Sequence, residues 1–489
     1  MKRTGSGILP TIVLDRNAGR SLQRQIYDSF RSGIIERRLR PGQRIPSTRA
    51  LATELSISRF PVLNAYAQLV AEGYLEGRVG AGTVISRLLA NPAPSDDRPE
   101  AGATGSGRRP MARRASAIAA PRNAPWFHGI GAFGLGQVAF DQFPLPVWSR
   151  IVARRCRRMD AKATHYGEIT GSKVLREAVA TYLRTSRSLR CEPEQVVIVS
   201  GSQQALELTV RVLLDPGSRV WMEEPGYELA RQVFRLAGCN LVPVPVDAEG
   251  LNVDAGIRLG RKARAAFVTP SHQFPLGVVM SAARRFRLLQ WAQANGAWII
   301  EDDYDSEYRY ESMPIASLQG LDDHARVVYI GTFSKVLFPA LRLGYIVLPV
   351  DLIEPFRAVR RVLDIGPPTF HQEVLAEFIA EGHFARHIRR MRGIYRERKD
   401  MLVDSIRSEL GSEVETPGAE AGLHLTITLP ARCREIEIAE RAAQQQLWLW
   451  PLSRYYTGRG AQPGFVLGFG SAGLKEIRPA VRKLRNLIS

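Results

Sequence analysis

The stretch YIGTFSKVLFPALRLGY, residues 329–345, decides how most of this chain folds. Its opening extends back through Val327 and Val328 as an unbroken apolar run of strand length. A strand buried on both faces of a parallel sheet reads this way. A turn then brings Thr332, Ser334 and Lys335, and Arg342 stands seven residues past the lysine. A lone lysine after a strand is ordinarily a solvated loop residue, so its meaning depends on what the rest of the chain places beside it.

Working outward, QVVIVS (195–200), SRVWMEE (218–224), RAAFVTP (264–270), AWIIEDD (297–303) and RVVYIGT (326–332) are short buried-type strands separated by helical stretches. That alternation predicts an α/β unit with a mainly parallel sheet. Ligands in open sheets of this kind sit outside the carboxyl ends of the strands. The unusual residues collect there. Gly201 and Ser202 open a helix after the first of these strands, and a helix N-terminus favours a phosphate. Asp302, Asp303 and Tyr304 end another strand, and Lys335 follows the last.

A phosphate cradle, a carboxylate, a phenol and a lysine on neighbouring strand ends are the parts that pyridoxal 5'-phosphate (PLP) needs. A lysine amine forms the Schiff base with its aldehyde. A carboxylate keeps the pyridine nitrogen protonated so that the ring accepts electrons. Backbone amides and an arginine hold the phosphate dianion. Tyr227, in EEPGYELA, is placed to stack on the ring, and Tyr304 to hydrogen-bond its hydroxyl.

The first ninety residues are of another kind. The chain has 489 residues, too many for one hydrophobic core, and a formal net charge of +19. Residues 1–88 carry 14 Lys and Arg against 6 Asp and Glu, a net +8, and residues 89–126 add +3. A basic excess gathered at one end predicts a polyanion partner, DNA foremost. Leu22, Ile26, Phe30 and Ile34 predict an amphipathic helix within 21–39, stopped by Pro41-Gly42. Ser47 and Ser58 are N-caps for TRALATEL and RFPVLNAYAQLVAEG, with Pro61 in the first turn of the latter. YLEGRVGAGTVIS then gives two short strands around a glycine turn at Gly80 and Gly82. The sum is a winged helix-turn-helix.

Residues 89–125, rich in Ala, Pro, Gly and Arg, bury too little apolar surface to offset chain entropy and read as a flexible basic linker. Its arginines Arg108, Arg109, Arg113 and Arg114 either touch phosphates or keep it solvated. The domains are therefore 1–88, DNA-binding; 89–125, linker; and 126–489, PLP-binding. No run of about 20 apolar residues offers a membrane span. The N-terminus lacks the apolar core of a signal peptide, so the expected compartment is the cytoplasm. Cys156, Cys191, Cys239 and Cys433 lie far apart without CxxC pairing and are expected to be buried thiols rather than disulfides or zinc ligands.

Two resemblances follow. RPGQRIPSTRALATELSISRFPVLNAYAQLVAEGYLEGRVGAGTVIS resembles the DNA-binding domain of the GntR family. It implies that Arg49, Arg59 and the wing near Gly80 touch phosphates or base edges, with Asn64 a further base contact. Phe60-Pro61 stands where that family usually has a small polar residue, which implies that this helix reads a different operator. HYGEITGSKVLREAVATYL, GSQQAL, EEPGY, TPSHQFPLG, EDDYDSEYRY and TFSKVLFPALRLGY resemble fold-type I aminotransferases. Joined, the two resemble the MocR (GabR-like) regulators over nearly all the chain except the linker.

The second resemblance implies that Lys335 is the Schiff-base lysine, Asp302 the partner of the pyridine nitrogen, Tyr304 the phenol at the ring hydroxyl and Tyr227 the stacking ring. Ser202, Gln203, Thr332 and Arg342 would surround the phosphate. Tyr166 would reach the partner's site in a head-to-tail homodimer. Two departures matter. Phe274 replaces the asparagine of Asn-Pro-x-Gly, and Val466 stands where aminotransferases place the arginine that clamps an α-carboxylate. A guanidinium fork is not readily replaced, and Arg454 is the substitute candidate. The implied function is a transcriptional regulator that binds an operator in double-stranded DNA. It would sense a small amino-group effector, or PLP itself, with at most weak transamination. The alternative is an active aminotransferase with a DNA-binding appendage.

Overall fold

A computed structural model describes residues 12–16, 18–78, 82–89, 111–116, 118, 124–127, 129–310, 315–411, 414, 416–458 and 460–488. The chain divides into two compact units, Met1–Arg109 and Pro110–Ser489.

In the first unit, helices α1 (Leu22–Ile35), α2 (Thr48–Glu54) and α3 (Arg59–Ala71) precede strands β1 (Leu75–Arg78) and β2 (Gly82–Ile85). Ser21 Oγ accepts from the Arg24 amide at 3.3 Å, and Ser47 Oγ from that of Ala50 at 3.2 Å. Each satisfies a donor that the helix start leaves free. Ser58 occupies the cap position of α3 but makes no side-chain cap bond. α1 stops before Pro41 is reached, because Arg37 takes a left-handed φ of 60° just past its end. Ser56, at φ 53°, makes the turn between α2 and α3. Ile26, Phe30, Leu51, Val62, Leu69 and Ile85 form one core, with Phe30 meeting Tyr66 edge-on at 5.4 Å. β1 and β2 pair antiparallel from Leu75 opposite Ile85 to Arg78 opposite Gly82, making the wing. Gly80, expected to contact DNA, lies outside the described residues, as do Arg108, Arg109 and much of 89–125.

The second unit is built on eight strands: β3 (Val196–Val199), β4 (Arg219–Glu224), β5 (Asn240–Asp247), β6 (Gly250–Leu251), β7 (Ala265–Val268), β8 (Trp298–Asp303), β9 (Val327–Thr332) and β10 (Gly344–Val347). Their order is β3-β10-β9-β8-β7-β4-β5-β6. β5, β4, β7, β8 and β9 run parallel, while β10 lies antiparallel between β9 and β3. The opening stretch is thus strand, turn and returning strand, with Gly344 opposite Thr332. Both ends of the loop carrying Lys335 are pinned to the sheet. A smaller antiparallel sheet, β11 (His424–Thr428), β12 (Trp450–Pro451) and β13 (Gly464–Gly468), packs with the helices His383–Leu410 and Leu474–Ile488.

Among the described residues no helix is long and apolar enough to cross a membrane. All four cysteines are free. Cys191 and Cys239 are buried, but Cys156 is exposed and Cys433 only half-buried, which corrects the expectation of four buried thiols. Cys156 falls near the polar C-terminal end of the helix Leu145–Arg157, whose buried face is formed by Trp148 and Ile151.

Candidate functional site

The carboxyl ends of β3, β8 and β9 converge on one region. After β3, Gly201 adopts φ +91° and the helix Ser202–Leu213 begins. A Cβ on Gly201 would stand 3.3 Å from the Arg342 guanidinium, so its absence lets the backbone and that cation approach. Arg342 itself takes a left-handed φ of 51° and donates from Nη2 to the Ser200 carbonyl at 2.7 Å. Free amides of a helix start beside an exposed arginine form an anion cradle. Thr332, buried at the end of β9, accepts the Ser334 amide on Oγ1 at 3.1 Å.

Lys335 Nζ donates to the Gly136 carbonyl at 3.2 Å. Burial lowers its pKa, against the pull of Asp305 and Asp302. Asp302, the penultimate residue of β8, has its Oδ1 buried and without a hydrogen-bond partner among the described residues. Burial, then the fields of Asp303, Asp305 and Glu223, push its carboxyl up to about 7, while Lys335 opposes the shift. Tyr227 Oη accepts from Gln203 Nε2 at 3.2 Å. Burial, then Asp302, raises that phenol, and Arg342 lowers it. Gln203, Tyr227, Asp302, Lys335 and Arg342 therefore lie within electrostatic reach as one constellation.

Three residues that the sequence reading passed over complete the floor: His272, Asp305 and His424, all buried, with side-chain atoms within 4.8 Å of one another. Tyr304 donates to the His272 carbonyl at 2.9 Å and also lies 3.0 Å from His272 Nδ1. Asp305 Oδ2 sits 3.1 Å from the same nitrogen and accepts the Leu423 amide at 3.2 Å. Burial, then His272, pushes His424 down to about 3, so it is neutral. Its Nε2 lies 3.1 Å from the Pro275 carbonyl. His272 lies in TPSHQFPLG and Asp305 in EDDYDSEYRY, whereas His424 lies in neither; the first motif also carries Phe274. That ring packs edge-on against Tyr227, Tyr455 and Tyr304, at 5.6, 5.0 and 6.2 Å, so an aromatic box occupies the place of an amide contact.

The remaining expected residues stand apart. Tyr166 is 85% exposed, with no hydrogen bond or ring contact among the described residues. Arg454 stacks over Phe127 and Trp126 at 5.3 and 5.8 Å, and Nη2 lies 3.8 Å from Glu228. Val466 is buried in β13 against Leu452 and Tyr455. In the first unit, Arg49 and Arg59 are exposed, Asn64 is half-buried, and Arg59 Nε donates to Thr48 Oγ1 at 3.0 Å.

Residues 131–466 match the family of aminotransferases of class I and II, and residues 22–85 the bacterial regulatory proteins of the gntR family. The chain is 40% identical over 478 residues to the probable rhizopine catabolism regulatory protein MocR of Rhizobium meliloti, covering 97% of this chain and 95% of that one. It is 30% identical to the pyridoxine biosynthesis transcriptional regulator PdxR of Corynebacterium glutamicum, covering 98% of each. Among solved structures, the α-aminoadipate aminotransferase LysN of Thermus thermophilus superposes with a TM-score of 0.71 at 29% identity, covering 77% of this chain and 97% of that one. That structure is complexed with N-(5'-phosphopyridoxyl)-L-leucine. A winged helix-turn-helix unit and an aminotransferase-type unit in one chain define the class. The chain belongs to the MocR group of GntR-family transcriptional regulators.

Proposed function

We propose that this regulator holds PLP at Lys335 and that the cofactor, with or without an amino-group effector, controls operator binding or activation by the first unit. The observation that carries the reading is Asp302 Oδ1, a buried carboxyl oxygen without a hydrogen-bond partner among the described residues. Such a group is costly unless a donor meets it. A protonated pyridine nitrogen would be that donor, and the same carboxylate favours the charged form of the nearby Lys335 amine.

The residues present fit the group. Gly201, Ser202 and Arg342 would hold the phosphate, Tyr227 the ring face and Tyr304 the ring hydroxyl, with Gln203 steadying Tyr227 and Thr332 shaping the turn. His272 and Asp305 fix Tyr304. Burial leaves the Lys335 amine more readily deprotonated, the form that attacks a carbonyl. When bound, PLP supplies an aldehyde to that amine and a ring that withdraws electrons. Tyr166 supports a homodimer, since an exposed tyrosine that makes no hydrogen bond or ring contact among the described residues is available to a partner's site.

An aminotransferase with a DNA-binding appendage is the second reading, favoured by the retained Lys335 and Asp302. Val466 opposes it, because a buried valine offers no cation to an α-carboxylate. Titration of the cofactor-stripped protein with PLP tests the proposal. A visible absorption band should rise to one equivalent per chain and change with particular amines. Absence of any band would refute it.

A further inference from the structure

The solvent face of α3 is unusually apolar. Its inward residues are Val62, Ala65, Tyr66 and Leu69, as a core-facing stripe requires. The opposite face should then be polar, yet Phe60 is 68% exposed, Leu63 is 45% exposed, and Ala67 is also exposed. Arg59 is the only charged residue in the helix. Phe60 and Leu63, three residues apart, are neighbours on one helix face, and a contiguous exposed apolar patch, unlike a single exposed side chain, marks an interaction surface.

The rest of the unit indicates the occupant. Residues 1–88 carry a net +8, exposed Arg59 directly precedes Phe60 in α3, and its Nε donates to Thr48 Oγ1, next in sequence to exposed Arg49. A polyanion therefore meets this face. In a helix-turn-helix the N-terminal residues of the second helix contact base edges in the major groove. The apolar group displayed there is the 5-methyl of thymine, while asparagine pairs bidentately with adenine. Asn64 makes no side-chain hydrogen bond among the described residues, so its amide is available.

We propose that Phe60 and Leu63 read thymine methyl groups and that Asn64 reads an adenine beside them, so the operator half-site has an A·T-containing core. Phe60 and Leu63 lie about 4.5 Å apart along the helix axis, one to two base steps at about 3.4 Å. With α3 lying along the major groove, the methyls would belong to neighbouring pairs. Pro61 fixes the first turn and so holds Phe60 in place. The inference rests on the DNA-binding reading above.

The test begins by selecting duplexes from a random library with the full-length protein and PLP. Each thymine of the enriched site is then replaced by deoxyuridine, which removes only the methyl. Wild type should lose about fourfold in affinity at each contacted thymine, the value of one buried carbon. Phe60→Ser and Leu63→Ser should each bind the thymine and uracil forms of their own position equally. Enrichment of a site indifferent to uracil would overturn this inference alone, whereas failure to enrich any duplex would remove the DNA-binding reading with it. A second copy of the chain as the true occupant would show differently. Phe60→Ser would then shrink the DNA-free assembly and leave the uracil effect intact, again overturning the proposal.

Discussion

Replacing Asp302 by asparagine makes the energetic state of the candidate site measurable without any ligand. The carboxyl is moved from 3.8 to about 7, so the folded protein binds a proton that the unfolded chain releases. Stability must then fall as pH rises from about 4 to about 7 and level off above. The full cost is about 4 kcal/mol at 1.36 kcal/mol per unit, and roughly 3 kcal/mol of it develops between pH 4.5 and 8. Asp302→Asn removes this slope, since an amide does not titrate. For the unit Pro110–Ser489, the unfolding entropy typical per residue converts that to about 4 °C. Calorimetry on cofactor-stripped wild type and variant should therefore show the variant gaining about 4 °C relative to wild type from pH 4.5 to pH 8. Using the difference cancels Glu223 and Glu301, which burial also raises to about 7. A difference that does not change with pH would refute the buried, uncompensated carboxyl.

Further expectations concern other parts. Lys335→Ala should lose the visible absorption that PLP gives the wild type, checked by spectroscopy after borohydride treatment. Gly201→Ala forces a side chain into φ +91° and against Arg342, and should weaken PLP binding at least tenfold in a spectral titration. Arg49→Ala and Arg59→Ala should each weaken DNA binding. A phosphate contact lowers the salt slope by about one, and a base contact relaxes specificity at a cost of about 1–3 kcal/mol. Operator titrations at several salt concentrations distinguish these.

Much of this architecture was legible because buried parallel strands announce themselves as apolar runs. β3, β4, β7, β8 and β9 all fall within the segments read from sequence, and the polar residues at their ends follow directly. β5 escaped notice because Pro243 and Pro245 argue against a strand. β10 begins only at the last two residues of the lysine motif, Gly344 and Tyr345, where the sequence reads as the tail of a turn. The relation of His272 to Asp305 spans 33 residues, and that of either to His424 more than 100, so only tertiary structure brings them together. Arg454 shows the opposite case, a residue chosen for its charge that the fold engages with Glu228 and two aromatic rings.

A ligand shifts a population of DNA-binding arrangements only if it binds one of them better, and Lys335 is the residue through which this protein would make that distinction. The measurement closest to this claim is operator affinity of the full-length protein with and without PLP, and with PLP plus each of a panel of amines, for wild type and Lys335→Ala in parallel. Wild type should change its operator affinity or promoter output with PLP or with one amine, while Lys335→Ala binds the operator but does not respond. A Lys335→Ala protein that responds as wild type does, or a wild type that responds to neither while turning over common α-amino acids at the ~1–10³ per second of ordinary enzymes, would contradict it.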